Sequence, residues 1–361
     1  MKACSTVYLN CKTMKMDRGH LNEILESILT VPTAPFHEYH VSDAITRILD
    51  PCDLVRIEKD DFGNLIVRYG DEQTEPGWVF GSHMDHPGFV ELPDESGYQP
   101  APGRIRDRFT FLGGVPESYL LKEFPIKEYG RFAMWDLPSF EVRQGQIWSR
   151  ACDDLVGCAA IVALFIALDR AGIENSCAAV FTRSEEVGFV GATKLANSWP
   201  FQPDTCFISI ETSVAVDRAT MGGGPMCRVG DRISIFDHTA TAAILEAGQR
   251  HSIKTQRALL DRGACEASGL QAYGVRTAGI SVPLGNYHNC GKKEMISPEF
   301  VEISDIESLF DLMAALLEEF PQGPMDCSAD LRDRFESRME AHLPFIMDTA
   351  GMFSSSQSQE Q

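Results

Sequence analysis

Residues 177–192 read CAAVFTRSEEVGFVGA. A short apolar run passes through Thr182, Arg183 and Ser184 into two adjacent glutamates, Glu185 and Glu186. Its length and composition predict a strand that ends at the pair. Side-by-side carboxylates repel unless a cation holds them or one takes a proton. A solvated turn is the plain alternative, and the pair alone does not exclude it. Two further runs follow the same plan: WVFGS leads into His83, and FISI leads into Glu211. Sites in open α/β sheets gather at the carboxyl ends of strands. Three strands delivering metal-type ligands at the same relative position predict such a sheet and a site along its edge.

The surrounding pattern supports an α/β class, with a mixed central sheet flanked by helices. DLVRIEKDDFGNLIVRYG, 53–70, reads as two strands around a DDFGN turn. Leu21, Ile24, Leu25 and Ile28 form a helical stripe, and LVGCAAIVALFIAL, 155–168, is a buried helix too short to span a membrane. A late amphipathic helix carries Ile303, Ile306, Phe310, Met313 and Leu317 on one face, with SPE at 297–299 as an earlier helix start. Residues 89–145 are rich in Pro, Gly, aromatics and charge and predict a small β-rich inserted domain. The catalytic domain is therefore expected over 18–88 and 146–345, with an extension at 1–17 and a disordered polar tail at 346–361.

Composition narrows the function. The chain has 361 residues and a formal net charge of −20, which argues against a nucleic-acid partner. No membrane span or signal peptide is evident, and eleven cysteines without CxxC pairs fit reduced thiols. A cytoplasmic protein is expected.

The chemistry lies in a scattered set. GSHMDHPG, 81–88, offers His83 as a ligand and Asp85 to orient its ring; the role of His86 is open. RACDDLVGCAA, 150–160, places Asp153 and Asp154 before the buried helix, where capping competes with metal bridging. If Glu186 binds a metal, Glu185 is free to act as general base on the attacking water. PLGNYHNC, 283–290, adds His288. His83, Asp153, Glu186, Glu211 and His288 are two imidazoles and three carboxylates, the donors two borderline divalent ions would share. Cys152 and Cys290 are read as small packing residues, and MGGGP, 221–225, as a tight turn. No HExxH, GxSxG or GxxxxGK[ST] motif is present.

In combination, GSHMDHPGFV, IWSRACDDLVGCAA, VFTRSEEVGFVGATKLA, MGGGPMCRVGD and AGISVPLGNYHN resemble the TET-type deblocking (glutamyl) aminopeptidases, within the co-catalytic dinuclear zinc exopeptidases. The resemblance runs from about residue 20 to about 320. It implies the zinc-exopeptidase fold, a peptide substrate and a homo-oligomer. It also implies two divalent ions, zinc first, with cobalt or manganese as alternatives. By the resemblance, His83 and Glu211 hold one ion, Glu186 and His288 the other, and Asp153 bridges them; Glu185 is the base and Asp85 orients His83. Three departures stand out: Glu211 replaces the usual aspartate, His86 replaces a commonly acidic residue, and the insert is short. Glutamate at 211 is more typical of the aminoacylase and carboxypeptidase branch. An N-acyl amino acid amidohydrolase or carboxypeptidase is therefore the alternative enzyme, and a catalytically silent binding or assembly module the alternative class.

Overall fold

The computed structural model describes residues 17–93, 104–173, 175–325 and 329–353. Residues 1–16 of the extension expected at 1–17, and the tail beyond 353, lie outside the described residues, while Asp17 caps the first helix. By internal contacts the chain divides into two units, 1–324 and 325–361.

In the first unit, the strands in chain order are β1 (Val55–Lys59), β2 (Leu65–Tyr69), β3 (Trp78–His83), β4 (Gly88–Val90), β5 (Ile105–Arg106), β6 (Phe109–Leu112), β7 (Ile126–Glu128) and β8 (Phe132–Trp135). There follow β9 (Glu141–Arg143), β10 (Gln146–Ser149), β11 (Cys177–Thr182), β12 (Cys206–Val214), β13 (Met226–Asp231), β14 (Gln256–Leu260), β15 (Arg276–Gly285) and β16 (Glu299–Glu302). The helices are α1 (Arg18–Leu29), α2 (Tyr39–Leu49), α3 (Glu117–Leu120), α4 (Leu155–Ala171), α5 (Val190–Asn197), α6 (His238–Arg250), α7 (Glu266–Gln271) and α8 (Ile303–Glu319).

One large mixed sheet runs β1-β2-β11-β3-β12-β15-β16-β10-β9, with β13 pairing β15 and β14. Its heart is parallel: β11 pairs β3, β3 pairs β12, and β12 pairs β15, all in the same direction. Parallel strands need cover on both faces. On one face, Ala178 and Val180 of β11 pack with Ala192 and Leu195 of α5 and Leu270 of α7. Against the other lies α4, buried from Leu155 through Leu168. It has no polar stripe because α1, α2 and α8 enclose it from outside. The helix stops where Gly172 turns left-handed at φ 58°. The 53–70 hairpin forms as expected, with Asp60 N–H donating to the Asn64 carbonyl at 3.1 Å across the turn.

A second sheet, β5-β6-β4-β8-β7, accounts for the insert. Phe89 meets Phe111 and Trp135 edge-on in its core, with centroids 5.0 and 4.7 Å apart, while Phe111 and Trp135 are tilted by 35° at 5.9 Å. The segment 141–149, read with the insert up to residue 145, instead adds β9 and β10 to the main sheet. Ser297-Pro298-Glu299 does not start a helix: it leads into β16, and α8 begins at Ile303. Antiparallel pairing with β10 and β15 takes those backbone groups before a helix can. The MGGGP turn resembles an anion cradle filled from within, since Gly222 and Gly224 each donate a backbone N–H to Asp305 at 2.8 Å. The second unit carries helix α9 (Ala329–Ala350), so residues 346–350, expected in the tail, are helical. Among the described residues no helix is long and apolar enough to cross a membrane.

Candidate metal centre

Four neighbouring parallel strands each contribute to one buried cluster. His83 closes β3, Glu185 and Glu186 follow β11, Glu211 lies within β12, and His288 follows β15. Asp153 comes from the segment between β10 and α4. All the metal ligands expected from the sequence meet here. His83 Nε2 stands 3.4 Å from Asp153 Oδ1 and 4.0 Å from Glu211 Oε2. His288 Nε2 stands 3.5 Å from Asp153 Oδ2 and 3.1 Å from Glu186 Oε1. Asp153 thus turns one oxygen toward each imidazole–glutamate pair. Within each trio, His83–Asp153–Glu211 and Asp153–Glu186–His288, the donor atoms lie within 4.8 Å of one another. A third trio, His83–Glu185–Glu186, brings the expected base to the same spot.

Two divalent ions fit this donor set. Asp153 Oδ1, Glu186 Oε1 and His288 Nε2 are buried with no hydrogen-bond partner. Buried polar atoms are costly to leave unsatisfied, and carboxylate oxygens facing each other need a cation. Both imidazoles are oriented by carbonyls. His83 Nδ1 faces the Asp85 carbonyl and His288 Nδ1 the Gly114 carbonyl, each at 3.1 Å. A carbonyl only accepts, so each Nδ1 carries the proton and each Nε2 lone pair points into the cluster.

Asp85 does more than expected of it. Its main chain orients His83, while its carboxylate, 3.5 Å from His83 Nδ1, accepts N–H bonds from Glu185 at 2.9 Å and Glu186 at 3.2 Å. The two-glutamate turn is thereby fastened to the His83 loop. His86 lies outside the donor trios: Nδ1 faces the Asp153 carbonyl at 2.6 Å and Nε2 faces Asn289 Oδ1 at 3.1 Å. Asp154 bonds the Ser82 hydroxyl and makes no side-chain cap for α4. A Cβ at Gly157 would stand 2.5 Å from the Asp154 carboxylate, so only glycine fits there.

The charge states follow burial and partners. Burial raises Glu185 well above the ordinary carboxylate range, with His83 opposing and Glu186 and Glu211 adding. Burial also lifts Glu211 to about 7, against the pull of His83 and Arg228. Burial works against ionised Asp153, yet the imidazoles of His288 and His83 beside it win and lower it. The imidazoles are raised despite burial, His83 chiefly by Glu185 and His288 chiefly by Glu186. Cys152 is buried with its thiol pushed up by burial, consistent with packing rather than reactivity.

Sequence reasoning missed Glu299. Its Oε1 accepts from His288 N–H at 2.7 Å, and its Oε2 accepts from Cys152 and Asp153 N–H at 2.7 and 3.0 Å. Arg228 was also missed. It is buried beside Ser213 and Ser281, with Nε lacking a partner. It lines a cavity of about 210 Å³ with Glu185, Glu211, Thr212 and Tyr287.

Residues 122–312 match the family model of the M42 glutamyl aminopeptidases. A protein of Acetivibrio thermocellus assigned as an aminopeptidase is 31% identical over 341 residues, covering 82% of this chain and 98% of its own. This chain belongs to the M42 family. It is therefore a peptidase, of a metal-dependent aminopeptidase family. Solved structures share the fold of this M42 member at lower identity. The TET aminopeptidase of a marine-sediment Thaumarchaeota archaeon aligns with TM-score 0.67 at 17% identity, over 84% of this chain and 97% of that one. The TET1 peptidase of Pyrococcus horikoshii, described as assembling into a tetrahedron or a large octahedral shell, aligns with TM-score 0.63 at 22% identity, over 82% and 98%. An aminopeptidase of Desulfurococcus kamchatkensis aligns with TM-score 0.66 at 18% identity, over 84% and 95%.

Proposed function

We propose that this chain cleaves the amino-terminal peptide bond of peptides at a pair of divalent ions, zinc ahead of cobalt or manganese. His83 and Glu211 would hold one ion, Glu186 and His288 the other, and Asp153 both. Bound there, the ions would polarise the scissile carbonyl and lower the pKa of the attacking water. Glu185 would take that water's proton and pass it to the leaving amine. Its backbone is pinned by Asp85 and its carboxyl is held in a low-dielectric setting, which suits a group that must gain and lose a proton. Membership of the glutamyl aminopeptidase family supports a substrate with a free α-amine.

The observation that carries this reading is Asp153, whose two oxygens face two separate imidazole–glutamate pairs. A second reading has its own support. Arg228, with an unpartnered Nε, lines the same cavity as Glu211 and could receive a substrate carboxylate, as an N-acyl amino acid amidohydrolase or carboxypeptidase requires. Metal-loaded protein should hydrolyse aminoacyl p-nitroanilides with a free amine and leave N-acylated analogues intact. Preference for N-acyl amino acids, or for peptides shortened from the carboxyl end, would favour the second reading. No turnover on any of them would favour a silent module.

The assembly is proposed as a homo-oligomer, on the strength of TET relatives that form shells. A cytoplasmic location is proposed from the eight free thiols among the described residues.

A further inference from the structure

We propose that the inserted sheet positions His288 and thereby sets the metal affinity of the Glu186–His288 position, independently of the His83–Glu211 position. The inference rests on the dinuclear reading above. His288 sits in a loop, 286–294, in which Asn286, His288, Asn289, Lys293 and Glu294 all have φ between 54° and 61°. Non-glycine residues adopt this region only where their surroundings hold them. On the inner side the holder is Glu299, bonded to His288 N–H. On the outer side it is the insert.

Several contacts make that outer hold, among them Lys122 Nζ, which donates to the Lys293 carbonyl at 3.3 Å and pairs with Glu294 at 3.2 Å. The Gly114 carbonyl accepts from His288 Nδ1, fixing the tautomer that aims Nε2 at Asp153 and Glu186. Arg104 Nη1 donates to the carbonyls of Phe111 at 3.3 Å and Gly113 at 3.0 Å, tying down the end of β6 from which Gly114 projects. The Tyr119 hydroxyl donates to the Gly291 carbonyl at 2.7 Å. Ile296, just past the loop, is buried in the insert's aromatic core, and Cys290 packs against it. The fit is close: Gly113 has φ 120°, and a Cβ there would stand 2.6 Å from Pro87, beside His86. His83 has no comparable dependence, because its Nδ1 is oriented by Asp85 from its own loop. Neither Arg104 nor Tyr119 belongs to a donor trio; both act through the His288 loop and are positioning residues.

The test is a cobalt(II) titration of metal-stripped protein, read by visible absorption and by competition with a chelator. Wild type should take two equivalents. Arg104→Ala should weaken one of the two steps by about 10–100-fold and leave the other unchanged, the size typical of lost outer-sphere support. Arg104→Lys should restore part of that loss. Tyr119→Phe, which keeps the ring and removes the donor, should weaken the same step. Metal-stripped wild type and Tyr119→Phe should melt at the same temperature, which separates positioning from loss of fold. Two tight steps in wild type with both unchanged, or both equally weakened, in Arg104→Ala and Tyr119→Phe would overturn the inference alone. Fewer than two equivalents in wild type would overturn the dinuclear reading and the inference with it.

Discussion

Asp153 and Glu185 carry opposite demands within one buried cluster. In the proposed reading Asp153 stays ionised to serve two cations, and its two imidazole neighbours lower its pKa. In the same reading Glu185 exchanges a proton, and burial favours the protonated form of its carboxyl. Replacing Glu185 with glutamine should therefore keep the metal content and cut kcat by about 10²–10⁴. Metal analysis beside steady-state kinetics checks this; unchanged turnover would place the base elsewhere. Glu266 offers a test of burial itself. It is fully buried, accepts from the Thr182 hydroxyl, and is pushed from an ordinary 4.5 to about 8, first by burial. A carboxyl raised in the folded state binds more protons there than in the unfolded chain. Its contribution is thus complete below about 4.5 and is lost as pH rises through about 8. Urea unfolding of metal-stripped protein should show stability falling across that window by a few kcal/mol, on the order of 1.4 per pKa unit. Glu266→Gln should flatten the slope; an unchanged slope would show that Glu266 is not its source.

At the scale of elements, strand ends do most of the positioning. β3, β11, β12 and β15 are adjacent and parallel, so their ligands converge without long loops. That arrangement was legible early, because apolar runs ending in His83, Glu185 and Glu211 are local patterns. The hairpin at 53–70 and the buried helix α4 were legible for the same reason. Glu299 was not. Its three N–H partners, on Cys152, Asp153 and His288, are 11 to 147 residues away, and proximity in space leaves no local mark. Its neighbours Ser297 and Pro298 also mimic a helix start, while a two-sided ladder made the segment a strand. The edge of the insert was misjudged similarly: 141–149 alternates like the strands before it, and only pairing with β16 assigns it to the main sheet. Glu299→Ala would leave those three amides unpaired, at about 1–3 kcal/mol each. Denaturation of metal-stripped protein should show a loss of that order, and a change below about 1 kcal/mol would mean that other acceptors, water included, satisfy them.

In the whole molecule an M42 peptidase fold surrounds one candidate centre with two proposed metal positions. The central sheet supplies His83, Glu186 and Glu211, the segment before α4 supplies Asp153, and the loop held by Glu299 and the insert supplies His288. The flanking cavities fit this division. One of about 210 Å³ opens beside His83 and Glu211, and another of about 1080 Å³ opens beside Glu186, with Arg104, Gly113 and Gly114 of the insert on its wall. The most direct measurement is anomalous scattering from crystals of the metal-loaded protein. Two peaks roughly 3.5–4 Å apart are expected, one against His83 and Glu211, one against Glu186 and His288, with Asp153 touching both. A single peak, or peaks away from Asp153, would contradict the dinuclear reading.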